Sequence, residues 1–370
     1  MKIIHCADIH LDAAESSLPQ EKAKERRAEI LVTFQNMIQF AADKGVEHVL
    51  IAGDLFVTRK ISAVTKSVVL TLFRSHPEIT FYYLRGNHDT ETFFMDVTDI
   101  PENVKVFANS WTSYVLNPNS KANLVLTGAE LTDENADQLT HSLTLNHENY
   151  NIVTLHGSLS SVTKANKDII PESAYRNLGI DYFALGHIHE HSIRNLNGDI
   201  RCKCVYPGCL EGRGFDETGE HGFMFLDFDE DTKRMDAQFI PFAKRRIYQL
   251  PLDVTTASDS SEVGTLIQKS LEEQGVSDSA LVRMLLVGDI DLDTEIDTDY
   301  LEKLFEEKYY IFQVKDQTGR RVDYRAFRYD MSLKGEFVRT VEEDPSLSEE
   351  EKAMVIAIGI NALSKEGGTK

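Results

Sequence analysis

Residues 80–89 have the sequence Thr80-Phe81-Tyr82-Tyr83-Leu84-Arg85-Gly86-Asn87-His88-Asp89. The apolar and aromatic run at 80–84 predicts a buried strand, which ends abruptly in polar residues that can bind a metal. Four other segments repeat this arrangement: residues 3–7 before Asp8 and His10, 48–52 before Gly53-Asp54, 151–155 before His156, and 182–185 before Gly186-His187-Ile188-His189. We therefore expect five strands, each followed by a polar cluster.

Helical patterns separate some of these strands. Residues 25–44 and 62–76 place apolar side chains on one face at helical spacing. Strands alternating with helices predict an α/β layered fold, in which ligands collect at the carboxyl ends of the strands. The five polar clusters are therefore expected to converge at one edge.

Length and composition set the broad class. A chain of 370 residues suggests two domains, or one domain with appendages. Hydrophobic residues make up 42% of the chain, but no stretch approaches the roughly 18 consecutive apolar residues of a membrane span. We expect a cytoplasmic protein that does not enter a membrane, with four reduced, structural cysteines. Zinc binding by Cys202, Cys204 and Cys209 is disfavoured because they lack Cys-x-x-Cys spacing.

The formal net charge of −21 disfavours an autonomous nucleic-acid binder, because such proteins usually carry a broad basic surface. If this chain binds DNA, the attraction must come from bound cations, from local basic patches or from a partner.

The strand ends supply seven side chains of metal-ligand type: Asp8, His10, Asp54, Asn87, His156, His187 and His189. One zinc ion takes four ligands, so seven favour two cations that share a bridging carboxylate. Mixed oxygen and imidazole ligands suit manganese, iron or zinc better than calcium. Taken singly, each motif also has a structural explanation: a core histidine for His156, a turn for Gly53-Asp54, a cap for Asp8. His187 and His189, at strand spacing, are expected to project towards the same side.

The ordered motifs Asp-x-His, Gly-Asp, Gly-Asn-His-Asp, a later His and Gly-His-x-His resemble the calcineurin-like metallophosphoesterase superfamily over residues 1–245. More narrowly, residues 5–12, 53–56 and 205–208 resemble bacterial SbcD-type DNA repair exonucleases, and 332–339 resembles a smaller Firmicute-like subgroup. The resemblance implies an α/β fold, a two-sheet sandwich flanked by helices, with a small α+β cap domain and C-terminal helices.

The same resemblance implies roles for individual residues. One metal would be bound by Asp8, His10, Asp54 and His189, and the other by Asp54, Asn87, His156 and His187. Manganese is the expected ion, with a hydroxide bridging the two metals as nucleophile, and iron and zinc as alternatives. His88 would face the scissile phosphate and act on the leaving oxygen. Val57 stands where this family usually has Asp or His.

The expected domains are a nuclease domain at 1–245, a cap domain at 246–330 and a C-terminal helix pair at 331–370. In the cap, strands at 247–254, 282–287 and 310–314 alternate with helices at 261–274 and 299–308. Family resemblance implies that the helix pair binds the coiled coil of an SbcC-like ABC-type ATPase, and that the protein is a homodimer. The candidate DNA contacts are Arg59, Lys60, Lys164, Lys167 and Arg213. A second basic group would contact DNA or an acidic surface of a partner: Arg320, Arg321, Arg325 and Arg328.

Three functions remain open from the sequence. The first is a DNA exonuclease or endonuclease in DNA repair, and the second is a phosphodiesterase for a cyclic or dinucleotide substrate. The third is a catalytically weak scaffold that binds DNA or a partner, for which Val57 is the only sequence feature.

Overall fold

The structure is a computed structural model that describes residues 1–13, 18–57, 61–89, 100–118, 120, 123–291, 294–321, 327 and 329–365. Four basic residues expected to contact DNA, Arg59, Lys60, Arg325 and Arg328, lie outside the described residues. The chain divides into two compact units, Met1–Tyr248 and Gln249–Lys370. The division falls three residues beyond the expected boundary after residue 245.

Strands β1 to β14 belong to the first unit. They are β1 (Lys2–Cys6), β2 (His48–Ala52), β3 (Thr80–Leu84), β4 (Val104–Val106), β5 (Thr112–Val115), β6 (Leu124–Gly128), β7 (Tyr150–His156), β8 (Ser158–Ser160), β9 (Ile169–Pro171), β10 (Tyr182–Gly186), β11 (Ser192–Leu196), β12 (Asp199–Tyr206), β13 (Gly222–Asp229) and β14 (Arg234–Pro241). The helices of this unit are α1 (Gln20–Asp43), α2 (Ala63–Ser75) and α3 (Ala136–Ser142), with a short 3₁₀ turn at Glu172–Ala174.

Two six-stranded sheets form the centre of the first unit. The first has the order β14-β13-β1-β2-β3-β4, and the second has the order β11-β12-β10-β7-β6-β5. In the first sheet β1, β2, β3 and β4 are mutually parallel. In the second sheet β7 is parallel to both β6 and β10. Parallel strands end at the same edge, so the residues that follow them are brought together.

The sheets pack face to face, and helices cover their outer faces. One buried cluster joins Leu50 and Tyr82 of the first sheet to Ile152 and Tyr182 of the second. A second cluster joins the other face of the first sheet to α1 and α2, and a third joins the second sheet to α3 through Leu139. Strand β2 is buried along its whole length, as expected for a strand covered on both faces. The expected two-sheet sandwich flanked by helices is confirmed.

The second unit contains a mixed region and a helix pair. Strand β15 (Ile247–Asp253) begins two residues before the division and continues into the second unit. The other elements of this unit are α4 (Ser260–Glu273), β16 (Leu281–Val287), β17 (Asp289–Asp291), α5 (Thr298–Phe305), β18 (Ile311–Asp316), β19 (Gly319–Arg321), α6 (Leu333–Glu342) and α7 (Glu349–Lys365). Strands β15, β16 and β18 form one sheet, and β17 and β19 form a two-stranded one. Helices α6 and α7 pack together through Val338, Val341, Ile356 and Ile360.

Across the residues that the structure describes, none of the helices is both long enough and apolar enough to span a bilayer.

Candidate metal centre

The backbone is strained where the polar clusters begin. Asp8, His10, Asp54 and His187 have φ values of 52°, 53°, 52° and 94°. Non-glycine residues rarely adopt positive φ, and each such residue costs free energy that the surrounding structure must offset. Four of the seven expected ligands share this conformation, which points to a functional constraint at this edge of the sandwich.

A first group of donor atoms comes from both sheets. The Nε2 atoms of His10 and His189 lie 3.0 Å apart. Asp8 Oδ1 lies 4.0 Å from His10 Nε2 and 3.8 Å from His189 Nε2. Asp8 and His10 are buried. One carboxylate oxygen and two imidazole nitrogens therefore converge on a small volume, in a set that suits a divalent cation.

A second group surrounds His156. Its Nδ1–H donates to the carbonyl oxygen of Ala52 at 2.9 Å, which leaves the Nε2 lone pair directed elsewhere. That Nε2 lies 3.1 Å from Asn87 Oδ1 and 3.3 Å from Asp54 Oδ2. A lone pair facing two oxygen acceptors is unfavourable unless a proton or a cation lies between them. The donor set therefore fits a metal ion, and Asp8, Asp54 and His156 form a compact cluster of potential ligands.

His187 and His189 belong to different groups, because β10 ends at Gly186 and both residues follow it in a loop. The His187 ring packs edge-on against His156, with ring centroids 5.3 Å apart. The His189 ring packs against His10, with centroids 4.9 Å apart. The two imidazoles therefore contact different ligand groups of one cluster, and strand spacing does not describe their positions because both follow β10 in a loop. The His187 backbone N–H donates to Asp8 Oδ2 at 2.9 Å and links the groups.

Burial and charge compete within the cluster. Burial raises the pKa of Asp8 to about 6, and the nearby Asp54 acts in the same direction. Burial lowers the pKa of His10 to about 2, aided by the positive Arg213. Burial alone would lower the pKa of His156, but its hydrogen bond to Asp54 and the negative charge there raise it to about 9. Protons and metal cations therefore compete for the same donor atoms.

Two glycines allow these groups to approach. A Cβ atom on Gly53, whose φ is 98°, would lie 2.0 Å from His156 Nδ1. A Cβ atom on Gly86 would lie 2.1 Å from Asp54 Oδ1. The glycines in the Gly-Asp and Gly-Asn-His-Asp motifs are therefore required for the close packing of the ligands themselves.

Comparison with known proteins identifies the family. The family model described as calcineurin-like phosphoesterase matches residues 1–191. The chain belongs to the calcineurin-like phosphoesterase family. Membership implies a metal-dependent phosphoesterase.

The relatives of this phosphoesterase are distant. It is 26% identical over 304 residues to the uncharacterized metallophosphoesterase YhaO of Bacillus subtilis, covering 78% of this chain and 72% of that protein. It is 24% identical over 270 residues to the DNA double-strand break repair protein Mre11 of Aeropyrum pernix, covering 68% of this chain and 64% of that protein. A solved dimetal phosphatase from Danio rerio matches with a TM-score of 0.42 and 13% identity, over 64% of this chain and 95% of that one.

Asp89 of the phosphoesterase connects two loops of the site. Its carboxylate accepts hydrogen bonds from the backbone N–H groups of Phe56 at 2.8 Å, Gly86 at 3.0 Å and Leu55 at 3.3 Å. Burial raises the pKa of Asp89 to about 7, and the charge of Asp54 adds to this effect. These contacts give Asp89 a structural role, because its carboxylate ties the loop after β2 to the loop after β3.

His88 lies at the exposed edge of the phosphoesterase site. Its backbone N–H donates to Asp54 Oδ1 at 2.9 Å, which fixes the loop to the central carboxylate. Its ring lies edge-on to His10, with centroids 5.7 Å apart. The imidazole is therefore next to the ligand cluster but accessible to a substrate.

Glu217 was missed by sequence reasoning. Its Oε1 lies 2.6 Å from His189 Nδ1 and 2.8 Å from Arg213 Nη2. Burial would raise the pKa of Glu217, but the hydrogen bonds from His189 and Arg213 lower it well below its usual range. No sequence spacing relates Glu217 to His189, 28 positions away.

The basic residues expected to bind DNA lie in different environments. Arg213 is at the metal centre, where its guanidinium pairs with Glu217. Lys164 and Lys167 are exposed in the loop between β8 and β9. In the second unit, the Arg320 guanidinium donates to the carbonyl oxygen of Thr294. Their contact with DNA stays a prediction.

Proposed function

We propose that the chain is a two-cation phosphodiesterase that cleaves DNA, as an SbcD-type exonuclease or endonuclease in DNA repair. The observation that carries the proposal is the convergence of ligand-type side chains from five strand ends, with His10 and His189 Nε2 3.0 Å apart. The similarity to proteins named for DNA double-strand break repair supports DNA as the substrate.

The donor groups suggest how the ligands are divided. Asp8, His10 and His189 would hold one cation, and Asn87, His156 and His187 the other. Asp54 would serve both, because Oδ2 faces His156 while Asp54 also lies near Asp8. When bound, two divalent cations polarise the phosphate and lower the pKa of a water molecule enough for attack. We propose manganese, because the oxygen and imidazole donors suit it.

The protein's own residues would orient the substrate and handle protons. His88 is exposed, adjacent to the donor cluster, and fixed through its backbone to Asp54. We propose that its imidazole donates a proton or a hydrogen bond to the leaving oxygen of the cleaved ester. Asp54 would fix the position of the His88 loop relative to the ligand cluster, since its Oδ2 contacts His156 and its Oδ1 accepts a hydrogen bond from the His88 backbone N–H.

The net charge of −21 favours a second candidate, a phosphodiesterase for a small cyclic or dinucleotide substrate. An acidic protein repels long DNA but repels a small phosphodiester less.

The two functions are separated by assaying manganese-dependent cleavage of linear and hairpin-ended DNA beside a chromogenic phosphodiester. Cleavage of DNA that chelator and Asp54→Asn abolish supports the nuclease. Turnover of the small ester alone supports the second candidate, and any metal-dependent turnover overturns the scaffold suggested by Val57.

The helix pair carries the proposed partner site. One face of α7 packs on α6. On the opposite face, Met354 and Ile358 are exposed, with 67% and 65% of their surface accessible to solvent. We propose that this face binds the coiled coil of an SbcC-like ABC-type ATPase. Removing residues 331–370 should abolish co-purification with such an ATPase and leave manganese binding intact, whereas retained co-purification would overturn the proposal.

The proposed homodimer is tested separately by the solution mass at micromolar concentration, where a monomer would contradict it.

A further inference from the structure

The His189 ring lies between the Glu217 carboxylate and the His10 imidazole. Its Nδ1–H donates to Glu217 Oε1 at 2.6 Å. Its Nε2 then carries the lone pair, which is directed at His10 Nε2, 3.0 Å away. Because Glu217 contacts the ring nitrogen opposite to the ligand cluster, it selects both the tautomer and the orientation of His189.

Glu217 is itself held in one position. The Arg213 backbone N–H donates to Oε2 at 2.7 Å, and the Arg213 guanidinium donates to Oε1 at 2.8 Å. The Glu217 carbonyl oxygen accepts from His221 Nε2–H at 3.0 Å, and the Cys209 thiol lies 3.2 Å from His221 Nδ1. The Glu217 side chain is only 8% exposed. A carboxylate with this many partners cannot change rotamer without breaking several hydrogen bonds.

The other ligand group has no equivalent carboxylate on its central histidine. His156 Nδ1–H donates to a neutral acceptor, the backbone carbonyl of Ala52, at 2.9 Å. A carboxylate partner makes an imidazole a stronger electron donor than a carbonyl does, and loss of such a partner commonly lowers metal affinity. The two ligand groups therefore differ in the strength of one imidazole donor.

Glu217 could instead be a ligand for a third cation, because His189, Cys209 and Glu217 offer ligand-type atoms within 4.8 Å of one another. The position of Arg213 argues against this. Its guanidinium lies 2.8 Å from Glu217 Oε1 and 3.2 Å from His189 Nδ1. The Arg213 guanidinium already neutralises the Glu217 carboxylate and would repel a metal ion placed between Glu217, Cys209 and His189 Nδ1.

We propose that Glu217 is a positioning residue that orients His189 and makes the cation site of Asp8, His10 and His189 the tighter of the two. The inference rests on the two-cation centre of the proposed function and adds an affinity difference between the sites. It also assigns Arg213 to the support of Glu217.

The test is a calorimetric titration of the metal-free full-length chain with Mn²⁺, comparing wild type, Glu217→Gln and Glu217→Ala. Glu220→Gln is the matched control, because Glu220 lies on the same loop but is half exposed and pairs only at the surface with Arg246, at 3.2 Å. We expect two affinity classes in the wild type and the control. In Glu217→Gln the tighter class should weaken by about 10–100-fold while the weaker class is unchanged.

The unchanged weaker site serves as an internal check on folding, because a misfolded variant would lose both classes. Two affinities in Glu217→Gln within about twofold of wild type would overturn the role of Glu217. Loss of the weaker class instead of the tighter one would overturn it too. If the wild type binds fewer than two Mn²⁺ ions, the proposed two-cation function fails first, independently of the variants.

A kinetic measurement separates positioning from ligation. In Glu217→Gln the ligand His189 is still present, so excess Mn²⁺ should restore most of kcat on the chromogenic phosphodiester. In His189→Ala the ligand itself is missing, and excess Mn²⁺ should restore little. Equal rescue of the two variants, or of neither, would contradict a positioning role.

Discussion

The Nε2 atoms of His10 and His189 lie 3.0 Å apart, although 179 positions separate the two residues. His10 follows a strand of the first sheet and His189 follows a strand of the second. The first ligand group therefore bridges the two layers of the sandwich, and its geometry depends on how the sheets pack. This dependence links metal binding to folding stability.

Metal binding should stabilise the first unit. At about 100 times the Kd of the site formed by Asp8, His10 and His189, Mn²⁺ binding there should raise the free energy of unfolding by about 2.7 kcal/mol, because only the folded state assembles the site. Urea unfolding with Mn²⁺ and with chelator measures the difference. His10→Ala should lose most of it, and equal unfolding midpoints in the two conditions would argue against a preformed site.

His88→Ser should lower kcat by about 10²–10⁴-fold, the usual contribution of a general acid. Its affinity for Mn²⁺ should stay unchanged, because the proposed metal ligands are all retained. His141→Ser, which changes an exposed histidine on α3, is the control. A His88 variant with wild-type kcat would remove this residue from the chemistry.

Gly53→Ala should displace His156, because the added Cβ would lie 2.0 Å from Nδ1. We expect weaker Mn²⁺ binding and a loss of stability well beyond the approximately 1 kcal/mol that positive φ costs alone. Gly45→Ala is matched to it, since Gly45 has φ of 65° but no atom within 4 Å of the added Cβ. Similar effects of the two substitutions on Mn²⁺ affinity would contradict the packing argument.

Glu29 should make stability depend on pH. Burial would raise its pKa, but hydrogen bonds from Arg245, Lys244 and Arg26 lower it to about 2 from 4.5. A lowered carboxyl pKa gives stability that is fully present above pH 4.5 and is lost as the pH falls towards 2.

At pH 7, Glu29→Gln should therefore destabilise the protein by about 3 kcal/mol, since it removes the carboxylate that pairs with the buried Arg245 at 2.6 Å, while Arg26 keeps Glu211 at 3.0 Å. The exposed-pair control Glu220→Gln should cost at most about 1 kcal/mol. Urea unfolding at pH 7, 4.5 and 3 measures both, and the Glu29 effect should be nearly the same at pH 7 and 4.5 and clearly smaller at pH 3. An effect that is constant with pH would show that charge pairing at Glu29 is not its cause.

Much of the first unit could be predicted from local sequence patterns. The strand before Asn87 was expected at residues 80–84 and is observed as Thr80–Leu84, and the helix expected at 62–76 is observed as Ala63–Ser75. These predictions succeed because apolar periodicity reflects burial, which both elements require. The helix expected at 25–44 begins earlier, at Gln20, since its first turn carries no apolar pattern to mark it.

The sequence by itself determined which residues could bind metal and that parallel strands would bring them together, because residue chemistry and strand periodicity are local properties. Only the tertiary structure decided that His187 and His189 face different partners, because a loop with positive φ replaces strand geometry after Gly186. Only the tertiary structure revealed that Glu217 and Arg213 support His189. Contacts between distant segments depend on the packing of two sheets, and no spacing along the chain encodes them.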